Sequence, residues 1–471
     1  MTAFVGRARE LEKLEAALNA VRETGGARFV SVRGRRQVGK SRLVEELIER
    51  SGVKAVFYVA SQLPADAELE AFRTAIAASP TAAAEVAAAG PLGSWQAGLT
   101  LLANEATTAE PLIVVIDELP YLTASTPSIE GILQTVWDRT LERKAAVLLI
   151  TIGSDLATME ALGTYGRLLY NRAEELTVDP LSPAETSEML SLEAHDALDA
   201  HLVLGGFPRL MSRWQKRDTL WRFLRRELAN PESPLLVMGE RTLASEFPAD
   251  LKGQSVIRAI GAGERTFSGI LQRTDVSQSG LAATLESMSR GKRVVDRALP
   301  YSATPRPKLA RYLVSDAYLR FWLRFLDRNL PTVQRGRGDV VVVEIEERWP
   351  AYRGQAIEPI VRRAIERLLP DERFGRAMFV GGYWNRDSSI EVDVVGGREV
   401  EAATEVDFIG SIKWRERSAF DRADLAHLSA QRGDVPGATG QTRLVGISRS
   451  GFDTTGLDVQ LTPEDILAAW R

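Results

Sequence analysis

Apolar residues recur along this chain with two different periods. Residues 8–20 place Leu11, Leu14, Ala17 and Leu18 at helical spacing, and residues 41–50 read as a second helix. Between and beyond them lie short, nearly continuous apolar runs: Phe29-Val30-Ser31-Val32, Ala55–Val59, Leu112–Ile116, Val147–Ile152 and Glu175–Val178. Strands buried on both faces lose the apolar/polar alternation. Such runs alternating with helices therefore predict a parallel sheet covered on both sides. The pattern gives an α/β domain over residues 1–182.

The pattern then changes. Residues 183–245 read as helices around Gly205-Gly206-Phe207-Pro208, a small helical lid. Residues 246–330 predict helices at Ser255–Gly263, Thr266–Arg273 and Ser277–Arg290. Two strands follow within Val294–Val314, around a tip holding Pro300, Pro305 and Pro307. That order is a winged helix, a helix-turn-helix variant. Tyr318–Leu326 is an aromatic helix expected to dock on a neighbour, and Arg335-Gly336-Arg337-Gly338-Asp339 reads as a linker. Residues 331–471 form a last α/β unit, with a helix around Gly354–Leu369 and strands near 376–382, 390–395 and 406–412.

Composition narrows the chemistry. With no cysteine, thiolate sites and disulfides are excluded, and the three histidines (His195, His201, His427) lack metal-ligand spacing. No apolar run reaches the roughly 18 residues a membrane span needs, and the first residues lack the apolar core of a signal peptide, so a cytoplasmic protein is expected. The net charge of −4 is unevenly spread. Residues 251–340 hold 16 Lys/Arg against 7 Asp/Glu, net +9, leaving −13 elsewhere. A basic segment in an acidic chain points to duplex DNA or to a solvated face. On the third winged-helix helix and the wing, Ser277, Gln278, Ser279, Arg290, Lys292, Arg293 and Arg297 are the candidate contacts, Gln278 for a base edge and the cations for phosphates.

One motif carries specific chemistry. Gly34-Arg35-Arg36-Gln37-Val38-Gly39-Lys40-Ser41 fits G-x-x-x-x-G-K-[ST] and lies between a strand and a helix. Backbone N–H groups of such a loop surround phosphates, aided by the positive end of the following helix. Lys40 is expected at the β- and γ-phosphates of ATP and Ser41 at Mg²⁺. Downstream, a strand ends in Asp117-Glu118, placed to hold Mg²⁺ and to activate water respectively. Ser154 follows the fourth strand and can sense the γ-phosphate. Arg172 can stabilise transition-state charge, in its own subunit or a neighbour's, or serve as a surface salt bridge.

These features, with Phe4-Val5-Gly6-Arg7-Ala8-Arg9-Glu10-Leu11, Tyr170-Asn171-Arg172 and Gly205–Pro208, resemble the archaeal-type ATPases of the STAND/AAA-related P-loop group. Gly354–Glu358, Glu391–Val395 and Ile412-Lys413-Trp414 are similar to that group's C-terminal domain, which has a restriction-endonuclease-like fold. The resemblance implies that Ser154 takes the sensor position and Arg172 the arginine position. It also implies a nuclease-like site of Glu358, Asp393 and Lys413. The acid expected two residues before Lys413 is Ser411, a far weaker Mg²⁺ ligand. The site is then either inactive, or completed by Glu391, Glu405 or Asp407, or reduced to an Asp393–Lys413 salt bridge. The functions implied are a DNA-associated ATPase switch, a signalling ATPase with a protein partner or homo-oligomer, or an ATP-controlled nuclease.

Overall fold

The five apolar runs of the N-terminal region form one parallel sheet. In a computed structural model, which describes residues 4–142, 145–248, 250–301, 306–399 and 405–471, they are β1 (Arg28–Arg33), β2 (Ala55–Val59), β3 (Leu112–Asp117), β4 (Val147–Gly153) and β5 (Glu174–Thr177). Their order is β2-β3-β4-β1-β5. β3 and β4 are buried along their whole length, as central parallel strands must be, whereas edge strand β5 buries Leu176 alone. Around them run α1 (Ala8–Thr24), α2 (Lys40–Ser51), α3 (Ala65–Ala77), α4 (Ala83–Ala89), α5 (Trp95–Glu105), α6 (Leu119–Ser125), α7 (Ile129–Val136) and α8 (Leu156–Leu162). Phe72, Trp95, Leu99 and Leu133 from the helices pack with Tyr58, Val114 and Leu149 from the strands. These elements belong to the first of two compact units, Met1–Pro180; the second is Leu181–Arg471.

The second unit opens with α9 (Pro183–Leu190), α10 (Ala194–Leu204), α11 (Pro208–Met211), α12 (Leu220–Leu228) and α13 (Pro234–Glu246). α10 is buried all round, so the other helices assemble on it. Next come α14 (Leu251–Gly261), α15 (Phe267–Gln272), α16 (Gln278–Glu286) and an antiparallel hairpin of β6 (Val295–Ala298) and β7 (Arg311–Val314). Pro305, expected at the hairpin tip, lies outside the described residues, as do residues 1–3. The aromatic segment begins as α17 (Ala317–Phe321) and docks inside the unit: Tyr318 Oη donates to Leu235 O at 2.9 Å and Trp322 Nε1 to Leu236 O at 2.8 Å.

The linker expected over 335–339 is shortened to 335–337. After α18 (Leu330–Gln334), Gly338 and Asp339 already belong to α19 (Gly338–Ala356), and the helix expected around 354–369 is present as the last turn of α19 followed by α20 (Glu358–Leu368). The run Val340–Val343 favours strand by side-chain type, but that preference is a few tenths of a kcal/mol per residue. Burying Val341, Val342, Ile345, Trp349 and Tyr352 on one helical face outweighs it. Gly338 permits the approach: a Cβ there would lie 1.9 Å from Leu228 O.

The chain ends in a mixed sheet ordered β12-β11-β10-β9-β8, comprising β8 (Phe379–Trp384), β9 (Glu391–Gly397), β10 (Val406–Lys413), β11 (Arg443–Ser448) and β12 (Val459–Leu461), with α21 (Arg422–Gln431) and α22 (Pro463–Ala468). β8, β9 and β10 are antiparallel neighbours, while β10, β11 and β12 run parallel.

One buried group makes this unit sensitive to acid. His201 on α10 shares a 2.9 Å hydrogen bond with Thr186, and burial pushes its imidazole down to about 4 from 6.5. The unfolded chain binds this proton near pH 6.5 and the folded chain only near pH 4. Stability is therefore intact above 6.5 and falls as pH drops toward 4, by up to about 3 kcal/mol. Urea unfolding of the wild type and of His201→Gln across this range should show a distinctly flatter pH dependence in the variant.

Candidate functional site

The sheet brings three strand ends together. β1 and β4 align Arg33 with Gly153, and β3 and β4 align Ile116 with Thr151, so the loops after β1, β3 and β4 emerge side by side at the carboxyl edge. Ligands of open α/β sheets bind at that edge. Gly34 starts the loop after β1 in a place where a Cβ would lie 2.2 Å from Val178 O. The loop turns with Gln37 at φ +65° and leads into α2 through Gly39.

Lys40 is buried beneath this loop. Its ammonium donates to Gly34 O at 2.9 Å and to Arg35 O at 2.8 Å. Burial lowers its pKa to about 8, against the opposing charges of Glu118 and Asp117 and in concert with Arg36. Ser41 Oγ donates to Asp117 Oδ2 at 2.6 Å, and the Glu118 N–H donates to Asp117 Oδ1 at 2.8 Å. Burial raises the Asp117 pKa. Glu118 adopts φ +55°, an unusual conformation for a residue with a side chain, and its two carboxylate oxygens accept from Ser154 Oγ at 3.0 and 2.8 Å. The structure thus gathers Gly34–Ser41, Asp117, Glu118 and Ser154.

Ser41 and Asp117 offer hard oxygen donors that fit Mg²⁺. Among the described residues no group of three or more His, Cys, Asp or Glu could hold a metal. That also suits Mg²⁺, which takes one or two protein oxygens and completes its shell with phosphate and water.

Arg172 is not part of this gathering. It forms a two-pronged ion pair with Asp138, both contacts at 2.9 Å, so the geometry here is that of the salt bridge. A residue given no role by sequence reasoning does reach the loop. Arg7 is buried at φ +63°, contacts Glu10 at 3.2 Å and donates to Val38 O at 2.9 Å. The signal was present in Val5-Gly6-Arg7, yet nothing in that spacing says where the guanidinium goes.

The C-terminal sheet builds a second carboxylate pocket. Asp393 on β9 accepts from the Ile412 N–H at 2.7 Å and from Ser411 Oγ at 3.2 Å. Glu358 opens α20, near enough that the Asp393 charge adds to burial in raising its pKa; burial raises Asp393 too. The cation between them is Arg362, which pairs with Glu358 at 3.0 Å and donates to the Asp393 carbonyl at 2.7 Å. Lys413 pairs with Asp424 on α21 at 3.6 Å while its charge still acts on Asp393, so the two do not form a direct salt bridge. The candidate substitute acids are engaged elsewhere: Glu391 with Arg311, Glu405 with Arg398, and Asp407 with the Arg376 N–H.

The candidate contacts of the basic segment divide between exposed groups and groups held within the protein. Gln278, Arg290, Arg293 and Arg297 are exposed, but Arg290 pairs with Glu286 at 2.9 Å. Ser277 caps α16, its Oγ accepting from the Gly280 N–H, and Ser279 lies beside it. Lys292, expected at a phosphate, instead donates to Glu246 O and lies 5.0 Å from the Phe247 ring centre. Burying an alkyl stem on an aromatic while satisfying a helix-end carbonyl explains that placement. The hairpin docks on the C-terminal sheet: Tyr301 N donates to Gly382 O at 2.8 Å, Trp384 Nε1 donates to Leu309 O at 2.9 Å, and Arg311 pairs with Glu391 while lying over Trp384 at 4.4 Å.

Comparison with known proteins bears on the fold and the activity. Residues 4–211 match the family described as "ATPase domain predominantly from Archaea", and residues 322–425 match one described as "Archaea bacterial proteins of unknown function". An uncharacterized protein of Methanocaldococcus jannaschii is 22% identical over 88% of both chains. The fold is similar to that of a Walker-type ATPase of Pyrococcus abyssi, with TM-score 0.50, 18% identity, and 68% of this chain and 96% of that one covered. A weaker likeness, TM-score 0.46 at 14% identity over 70% of this chain and 96% of that one, is to the ORC2 protein of Aeropyrum pernix in ADPNP–ADP complexes. No described helix is long and apolar enough to cross a membrane. Residues 4–211 are thus similar to the archaeal ATPase family and residues 322–425 to the second, and the chain is an ATPase.

Proposed function

We propose that the chain is a Mg²⁺-dependent, ATP-hydrolysing switch. In this reading Gly34–Ser41 holds the triphosphate, Ser41 and Asp117 hold the cation, and Glu118 orients and activates the attacking water. The observation that carries it is the convergence at one loop of the Ser41–Asp117 pair, 2.6 Å apart, with Glu118 held by Ser154. Bound Mg²⁺ would neutralise phosphate charge; Lys40 supplies the protein's own cation to the same oxygens. Ser154 fixes the Glu118 carboxylate and loses that hold when its hydroxyl turns to a phosphate, which is how it would sense nucleotide. Turnover measured with and without Mg²⁺ tests the reading: EDTA should abolish phosphate release, and equal release in its presence would refute the metal assignment.

In the same reading, residues 183–245 are a lid, 246–330 a winged helix and 331–471 a restriction-endonuclease-like domain whose cleavage site is inactive. Arg362 supports inactivity: it supplies the positive charge beside Glu358, and Ser411 stands where an acid is needed. Wild type and Asp393→Ala are both expected to leave duplex DNA uncut in Mg²⁺. Cutting by the wild type that vanishes in the variant would revive the nuclease.

Duplex DNA is the partner that the basic segment supports, through Gln278, Arg290, Arg293 and Arg297. A protein partner or a second copy is the other reading, favoured by the engagement of Lys292, Tyr301 and Arg311 within the chain. An anisotropy titration separates them. With about three phosphate contacts, affinity should fall by roughly fortyfold between about 50 and 200 mM salt and weaken in Arg290→Ala/Arg293→Ala. No binding at low salt leaves the protein-docking reading.

A further inference from the structure

Arg36 lies in the middle of the phosphate loop, and among the described residues it meets no carboxylate. Its guanidinium donates to the Tyr121 hydroxyl and lies over that ring, 5.5 Å from the centre. Tyr121 belongs to the first turn of α6, where its N–H donates to Glu118 O at 2.9 Å. Arg36 is thus tied to the helix that begins at Glu118, and both residues act on the charge of Lys40. It is also close enough to Lys40 for the two cations to disfavour one another. Two like charges on one loop, one buried on backbone carbonyls and one held by a phenol, repel each other, and an anion bound by both would relieve that repulsion. Arg172, the arginine that sequence pointed to, is held by Asp138.

We propose that Arg36 is a catalytic residue: its guanidinium leaves Tyr121 and pairs with the terminal phosphate of ATP, supplying within the same chain the arginine charge that phosphoryl transfer uses. It gives up no proton and forms no covalent bond; it offsets the charge on the phosphate oxygens as the bond to the leaving ADP breaks and water adds. ADP lacks the oxygens it would bind, so Arg36 also distinguishes the two nucleotides.

This inference rests on the ATP-site reading and has its own test. In the full chain, the affinities of ADP and of a non-hydrolysable triphosphate analogue are measured by calorimetry, beside turnover, for wild type, Arg36→Ala and Arg36→Lys. Arg36→Ala should keep ADP affinity within about threefold, weaken the triphosphate analogue about tenfold or more, and slow turnover roughly 10²–10³-fold. Arg36→Lys should recover part of both losses. Loss of both nucleotides by the same factor, or unchanged turnover, overturns the proposal. A wild type that binds neither nucleotide overturns the site reading as well. Arg36 is exposed, so the variants are expected to unfold at the wild-type temperature.

Discussion

Glu118→Gln should bind ATP at close to wild-type affinity and hydrolyse it about 10²–10⁴-fold more slowly, the range spanned by removal of a general base. The substitution keeps the size of the side chain and its acceptor for Ser154 Oγ, so the pocket holds its shape. What it loses is the charge that, in the proposed mechanism, takes a proton from water. Ser154→Ala makes the complementary case. The carboxylate stays but its tether goes, and turnover should fall less, because a misoriented base still works some of the time. A burst-free ATPase assay with single-turnover controls distinguishes slow chemistry from slow product release. Wild-type turnover by Glu118→Gln would transfer the water-activating role to another residue.

The largest effect on stability is expected at Asp199, a residue that sequence reasoning left unassigned. It is buried on α10. Its Oδ2 meets the guanidinium groups of Arg353 at 3.2 Å and Arg449 at 3.3 Å, and its Oδ1 accepts from Trp414 Nε1 at 3.1 Å. Both arginines are themselves nearly buried, at 3% and 10% side-chain exposure, and Glu416 at 3.0 Å from Arg353 is half exposed. Asp199→Ala would leave Arg353 with only the half-exposed Glu416 and Arg449 with only the exposed Asp196 at 3.6 Å, removing the one buried carboxylate the two share. Breaking one partner of a buried pair costs about 3–5 kcal/mol, so chemical unfolding of this variant should begin at markedly lower denaturant. The Nε atoms of Arg353 and Arg449 already lack hydrogen-bond partners among the described residues, so the cluster has little reserve. A variant as stable as wild type would mean that water reaches these groups freely.

The two sites differ in how far the sequence exposed them, for a physical reason. The parallel sheet was legible because four of its strands are short apolar runs, and a run such as Leu112–Ile116 is stable in a sheet interior. The first site was legible because its parts are consecutive or sit at strand ends, which the sheet aligns automatically. Arg7 and Arg36 were harder. Their positions were plain, but where a long side chain points is a matter of which carbonyl or ring lies within its reach. The second carboxylate pocket was legible as Glu358, Asp393 and Lys413. Arg362, which shares with Lys413 in setting its electrostatics, was not, because its role depends on how α20 lies against β9. The same holds for Tyr301 and Arg311, whose partners are about 80 residues away. In α19, local side-chain preference pointed one way and tertiary burial the other, and burial won.

Calorimetric titration of ATP into Lys40→Ala tests most directly whether Gly34–Ser41 is the nucleotide site. Removing an ammonium that would make charge-assisted hydrogen bonds to two phosphates should weaken binding by at least about a hundredfold, leaving no measurable heat at concentrations that saturate the wild type. Binding of ATP by Lys40→Ala at wild-type affinity would place the nucleotide elsewhere in the chain and contradict the account.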